Sequence, residues 1–162
     1  MTELRRVCKE NIRLFSEIIN LSGGKVLDVG IAGDPPPGEN FPVFGGKNIY
    51  ETIDVDGRYN PTYVADLCGT DFPDNNYDLV IVSNVLEHVW NYKAALAETY
   101  RITKTWAIVD CPFTYPYHAE DDFGDWWRFT YAALKRLCEE AGFEVVNVRA
   151  HQLMTSVLCK KQ

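Results

Sequence analysis

Four short stretches of this chain place carboxylates or amides directly behind apolar runs: Asp28-Val29-Gly30, Asp54-Val55-Asp56, Asp66-Leu67 and Ser83-Asn84. Carboxylates accept hydrogen bonds from hydroxyl and amino groups, and a glycine lets a ligand approach the backbone closely. Asp54 follows the Gly30 turn by roughly 20–25 residues, the separation at which an acid meets a ribose diol in nucleotide-binding units. Asp56-Gly57 has the make-up of an ordinary turn, which leaves Asp54 as the ribose candidate. A bare turn role for Asp54 is the alternative.

The turn itself, KVLDVGIAGDPPPG at residues 25–38, opens like a nucleotide-binding turn and then meets three consecutive prolines. A dinucleotide's pyrophosphate needs G-x-G-x-x-G leading straight into a helix whose N-terminal amides hold the anion. Here those positions are Gly30, Ala32 and Pro35, with Pro36, Pro37 and Pro42 close behind, so the phosphate cradle is not expected. A ligand with a ribose and no phosphate does not need it. S-adenosylmethionine is such a ligand. Asp28 suits its cationic part, Asp54 its ribose, and Asp66 its adenine amino group, with Leu67 as an apolar wall.

These residues must be positioned by an open sheet. Residues 25–30, 48–56, 62–67, 79–84 and 106–113 read as strands, with 79–84 the most hydrophobic and therefore central. Helical spacing predicts helices over 3–20 and 90–104. Thr130 reads as the N-cap of a third helix that stops at Gly142. FEVVNVRA and LMTSVLCK predict two final strands forming an antiparallel pair. Strands alternating with helices define the α/β class. Ligands then sit beyond the carboxyl ends of the strands, where all four polar tips fall.

No repeat, low-complexity tract or linker interrupts the 162 residues, which suit one domain over 1–162. The net charge of -7 argues against a nucleic-acid partner. No apolar run approaches the ~20 residues of a membrane span, and MTELRRVCKENIRLF has no signal-peptide core. Cys8, Cys68, Cys111, Cys138 and Cys159 are scattered with no C-x-x-C pair, so neither a disulfide framework nor a zinc site is expected, and a reducing cytoplasm is.

Read together, KVLDVGIAGDPP, IDVD, VADLCGTDFPDNNYDLVIVSNVLEHV and the DWWRFT run resemble, in order, the motifs of the class I S-adenosylmethionine-dependent methyltransferases. The likeness is greatest to the small-molecule branch related to the ubiquinone/menaquinone methyltransferases and covers residues 23–150. It implies a Rossmann-like, mostly parallel sheet of about seven strands with the last antiparallel, and helices on both faces. It also implies a cofactor held by Asp28, Gly30, Ile31, Ala32, Gly33, Asp54, Val55, Asp66, Leu67, Ser83 and Asn84. Ala32 replaces the middle glycine of the first motif. Lys104-Thr105-Trp106 stands where Pro-Gly-Gly usually precedes the fifth strand, and the stretch between the first two strands is short for a full helix.

Methyl transfer is an in-line displacement on an activated carbon, so alignment supplies much of the acceleration, and an oxygen or nitrogen acceptor can also need a base. His118, in the aromatic loop past the fifth strand, is the candidate base; positioning the loop is the alternative. His88 is expected to order a helix start or line the cleft, and His151 to lie on the surface. Tyr117, Trp126 and Arg128 are candidates to contact the acceptor, with Tyr115, Trp127 and Phe129 nearby. Loop packing, and for Arg128 an ion pair with Asp125, are the competing roles. Glu120, Asp121 and Asp122 read as a solvated run, so no metal is expected. The expected activity is methylation of a small molecule, with a sugar or natural-product intermediate as candidates. A methyltransferase-like protein that binds without catalysing is the alternative.

Overall fold

The computed structural model describes residues 2–31, 38–119 and 123–162. Helix α1 (Glu3–Ile19) starts where the Thr2 side chain accepts from the Arg5 amide and ends at Asn20 in the left-handed conformation. Between these caps its apolar stripe buries Val7, Cys8, Ile12 and Phe15. Strand β1 (Lys25–Val29) follows. A single helical turn, α2 (Phe41–Phe44), leads into β2 (Ile49–Asp54), then β3 (Tyr63–Val64) and β4 (Tyr77–Ser83). Helix α3 (Tyr92–Ile102) and strand β5 (Thr103–Pro112) come next, then helix α4 (Tyr131–Glu140) and strands β6 (Glu144–Ala150) and β7 (Met154–Lys160).

Among the described residues the seven strands form one sheet in the order β3-β2-β1-β4-β5-β7-β6. β1, β2, β3, β4 and β5 run parallel, while β7 pairs antiparallel with β5 on one side and β6 on the other. The expected Rossmann-like sheet is present, with the final antiparallel pair inserted so that β7, not β6, touches β5. The β4 run is the central strand, as its hydrophobicity implied.

Alternation along the strands sorts the core into two layers. Val26, Leu79, Ile81, Ile108 and Leu158 pack with α1, whereas Leu27, Val80, Val82, Val109 and Val157 pack with residues of α3 and α4. The same alternation puts Asp28, Ser83 and Asp110 on the α1 side, one step beyond the apolar rows, at the carboxyl ends of β1, β4 and β5. An apolar face thus turns polar where the sheet ends.

Two sequence expectations shift. The third strand is two residues long rather than six, because after Val64 only the Ala65 amide still pairs, with the Asp54 carbonyl, and the Asp66 carboxylate turns back to the Cys68 amide. The Lys104-Thr105-Trp106 stretch needs no turn, since α3 runs directly into β5. Thr103 is both the C-cap of α3 and the first residue of β5, and its hydroxyl donates to the Thr99 carbonyl.

Candidate active site

A cleft of about 1000 Å³ lies over the carboxyl ends of the strands. That stands at the top of the roughly 300–1,000 Å³ range of small-molecule sites. Its lining joins Asp28, Gly30, Ile31, Asp54, Val55, Asp66, Leu67, Ser83 and Asn84, so nine of the eleven residues assigned to the cofactor from sequence meet in one cavity. Ala32 and Gly33 lie outside the described residues.

The backbone at the turn is specialised. Gly30 has φ +75°, and its amide donates to the Ile53 carbonyl, tying the turn to β2. A Cβ there would sit 2.4 Å from Val85 Cγ2, so only glycine fits between β1 and the segment after β4. Asn84 also takes a positive φ of 53°, and its amide donates to the Asp110 carbonyl.

Asp28 is buried and partnered. It accepts from Asn40 Nδ2 at 3.0 Å and from the Tyr50 hydroxyl at 2.5 Å. Burial nevertheless outweighs these bonds and raises its carboxyl to about 7. Asp54, also buried, accepts from the Ile31 amide at 3.0 Å with one oxygen and from the Asp56 amide at 2.9 Å with the other. Each oxygen keeps a second lone pair for a ligand. Asp56 is instead held by Arg58, in keeping with its reading as the turn residue. Val55 and Asp66 are exposed on the rim, and Leu67 is buried behind them. Ser83 Oγ donates to Asp110 Oδ1 at 2.8 Å, with Cys8 Sγ 3.2 Å away. Asp110 is raised to about 7, again by burial.

The other end of the cleft is built by two segments stitched together. The Glu87 carbonyl accepts from the amides of Trp126 and Trp127, Trp127 Nε1 donates to the Val89 carbonyl, and His88 Nδ1 donates to the Gly124 carbonyl at 2.6 Å. Because a carbonyl only accepts, the His88 hydrogen is on Nδ1; burial lowers the pKa of this ring and keeps it neutral. His118 packs edge-on against His88, with ring centroids 4.9 Å apart. Asp125 receives the His118 amide at 2.9 Å and is paired with Arg128 through both oxygens. That pairing pulls its carboxyl down to about 2.

His118 and Trp126 line the cleft. Tyr117 and Arg128 do not. The Tyr117 ring is 77% exposed. Arg128 donates to the carbonyls of Tyr115 and Pro116 as well as to Asp125, so it orders the loop that carries His118. Reading the sequence missed Glu87, which is fully buried, and the lining supplied by Thr2, Leu4 and Arg5 of the first helical turn. The LEHV segment was a signal for Glu87; nothing local marked the α1 residues.

The methyltransferase domain family matches residues 2–148. This chain therefore belongs to that family, of the class that draws its methyl group from S-adenosylmethionine. Among solved structures, a Burkholderia thailandensis 1,6-didemethyltoxoflavin-N1-methyltransferase with bound S-adenosylhomocysteine is similar at TM-score 0.72 and 14% identity, over 95% of this chain and 78% of that one. A SAM-dependent methyltransferase from Aquifex aeolicus aligns at TM-score 0.68 and 15% identity over 99% of both chains. A magnesium protoporphyrin IX methyltransferase from Synechocystis PCC 6803 aligns at 0.73 and 12%, over 97% and 83%. At these identities the likeness is one of fold. A search of curated proteins returned no match.

Proposed function

We propose that this protein transfers the methyl group of S-adenosylmethionine to a small-molecule acceptor, with the cofactor over β1, β2 and β3 and the acceptor against the 115–126 loop. The observation that carries this reading is the gathering of the strand-tip carboxylates and the His118 loop around one cavity. Asp54 would take the ribose hydroxyls on its free lone pairs, Asp66 the adenine amino group, and Asp28 the cationic amino-acid end. Gly30 and Ile31 supply close backbone approach, Val55 and Leu67 apolar contact, and Ser83 and Asn84 the rim beside the sulfur.

In the displacement, a lone pair of the acceptor forms a bond to the methyl carbon while the carbon–sulfur bond breaks and its electrons stay on sulfur as a neutral thioether. The proton released by an oxygen or nitrogen acceptor passes to His118. Its Nδ1 lies 3.1 Å from both the Pro116 carbonyl and Asp125 Oδ2, two acceptors that favour the hydrogen there over the Arg128 Nη2 donor at 3.4 Å, so Nε2 presents the lone pair. Trp126 frames the acceptor, and Arg128 acts by fixing Asp125 and the loop. Relatives of the same fold named for toxoflavin and protoporphyrin substrates support a small acceptor. The five free cysteines fit a reducing cytoplasm.

Thermal stabilisation tests the reading. S-adenosylhomocysteine at a hundred times its dissociation constant adds about 2.7 kcal/mol, and NAD is expected to add nothing. Stabilisation by NAD alone would overturn the assignment. Asp54→Asn, which keeps the side chain's size, is expected to weaken S-adenosylhomocysteine about tenfold or more; unchanged affinity removes Asp54 from the site. The alanine variant is a poorer tool, because it also strips two backbone amides of their acceptor.

A further inference from the structure

A buried carboxyl group stands at the acceptor end of the cleft with no hydrogen-bond partner among the described residues. Glu87 is fully buried, and neither Oε1 nor Oε2 has a hydrogen-bond partner among the described residues. Burial raises the Glu87 carboxyl to about 8, so without a partner it keeps its proton, and a cation bound beside it would take that proton's place. Glu87 lines the cleft together with His88 and His118, and one ligand atom from each of the three lies within 4.8 Å of the other two.

Both imidazoles are held in the form that a metal ligand needs. The Gly124 carbonyl fixes the His88 hydrogen on Nδ1, and for His118 the Pro116 carbonyl and Asp125, both 3.1 Å from Nδ1, favour the hydrogen there over the Arg128 Nη2 donor at 3.4 Å, which leaves the lone pair on Nε2. Contacts of this kind to carbonyls and carboxylates orient metal-bound histidines. His88 Nε2 is 3.7 Å from Glu87 Oε1. That is too long for a hydrogen bond, yet within the ~4.2 Å that two atoms each ~2.1 Å from one ion can span. Drawing His118 to the same ion takes a small inward movement of a partly exposed side chain.

The geometry points to a binding site for a first-row divalent transition-metal cation at Glu87, His88 and His118, open toward the cleft. Two imidazoles and one carboxylate with free coordination positions suit Zn²⁺, Mn²⁺ or Fe²⁺. The existence of this site is independent of the methyl-transfer reading; its use in catalysis rests on that reading. An acceptor hydroxyl bound to the ion loses its proton to water at lower pH and keeps its oxygen electrons for the methyl carbon. His118 is then a ligand, and the ion replaces it as the means of deprotonation.

The test is a titration of the chelator-stripped chain with Co²⁺, read by visible absorption and by equilibrium dialysis. One equivalent is expected to bind and to be displaced by Zn²⁺. Glu87→Gln and His118→Ala are each expected to weaken Co²⁺ at least tenfold, and the half-buried loop position of His118 keeps the measurement available if Glu87→Gln fails to fold. Failure of the wild type to bind one equivalent, or unchanged affinity in the variants that fold, overturns the site. Cobalt bound as expected by protein that S-adenosylhomocysteine does not stabilise upholds the site and sinks the methyl-transfer reading.

Discussion

The two ends of the cleft treat buried charge differently. At the β1–β2 end the protein answers its own carboxylates: Asp28 receives Asn40 and Tyr50, and Asp54 receives two backbone amides. At the loop end Asp125 is bound on all sides by Arg128 and the His118 amide, while Glu87, on the segment stitched to that loop, is bound by nothing described. A carboxylate that is already oriented costs a ligand no reorganisation, so the first end is preformed for one fixed molecule. The second end keeps one carboxyl group without a hydrogen-bond partner among the described residues, and burial raises its pKa to about 8. A constant cofactor and a variable reaction partner ask for that division.

The largest expected effect lies at the junction of the two ends. Gly30→Ala forces a left-handed residue and a Cβ 2.4 Å from Val85 Cγ2, and is expected to cost ~2–4 kcal/mol in denaturant unfolding. Adding Val85→Ala should recover part of that loss by removing the clash but not the backbone strain. Full recovery would show that the turn tolerates a side chain, and the fixed geometry of the cofactor end would then have another origin.

A smaller effect comes from the partnered carboxylate. The Asp28 carboxyl is raised to about 7 in the folded protein, against about 3.9 in an unfolded chain. The folded state therefore binds more protons between those values. The stability Asp28 allows is fully present below about pH 4, declines as pH rises, and reaches its minimum above about 7. Asp28→Asn should flatten that decline in melting temperature between pH 4 and 7. An unchanged slope would mean that Asn40 and Tyr50 offset burial completely, sharpening the contrast with Glu87. The smallest effect is a control outside both ends: Thr130 accepts the Ala133 amide at the start of α4, and Thr130→Ala is expected to cost ~1 kcal/mol in unfolding without altering ligand affinity.

Much of this architecture was legible residue by residue. The runs before Asp28 and Ser83 are apolar because these parallel strands are buried on both faces, so strand ends and ligand rim could be read together. Thr130 and Gly142 bounded α4 through local capping chemistry. What escaped depended on distant partners. Whether Glu87 is satisfied is decided by what residues 115–128 bring to it, and its would-be companions are split between positions 88 and 118, a spacing that matches no metal motif. The roof formed by Thr2, Leu4 and Arg5 depends on α1 folding across strands far along the chain. Arg128 was read both as an acceptor contact and as Asp125's partner, and the pairing is what the structure displays.

The place of β7 has a consequence for synthesis. Because it separates β5 from β6, and because Ser156 on it receives Asn11 of α1, β6 cannot join the sheet and the first helix cannot complete its packing until residues 154–160 have been made. Partners so far apart in the chain slow folding. The nascent protein thus carries two unfinished apolar surfaces, one beside β5 and one under α1, and a single late strand closes both.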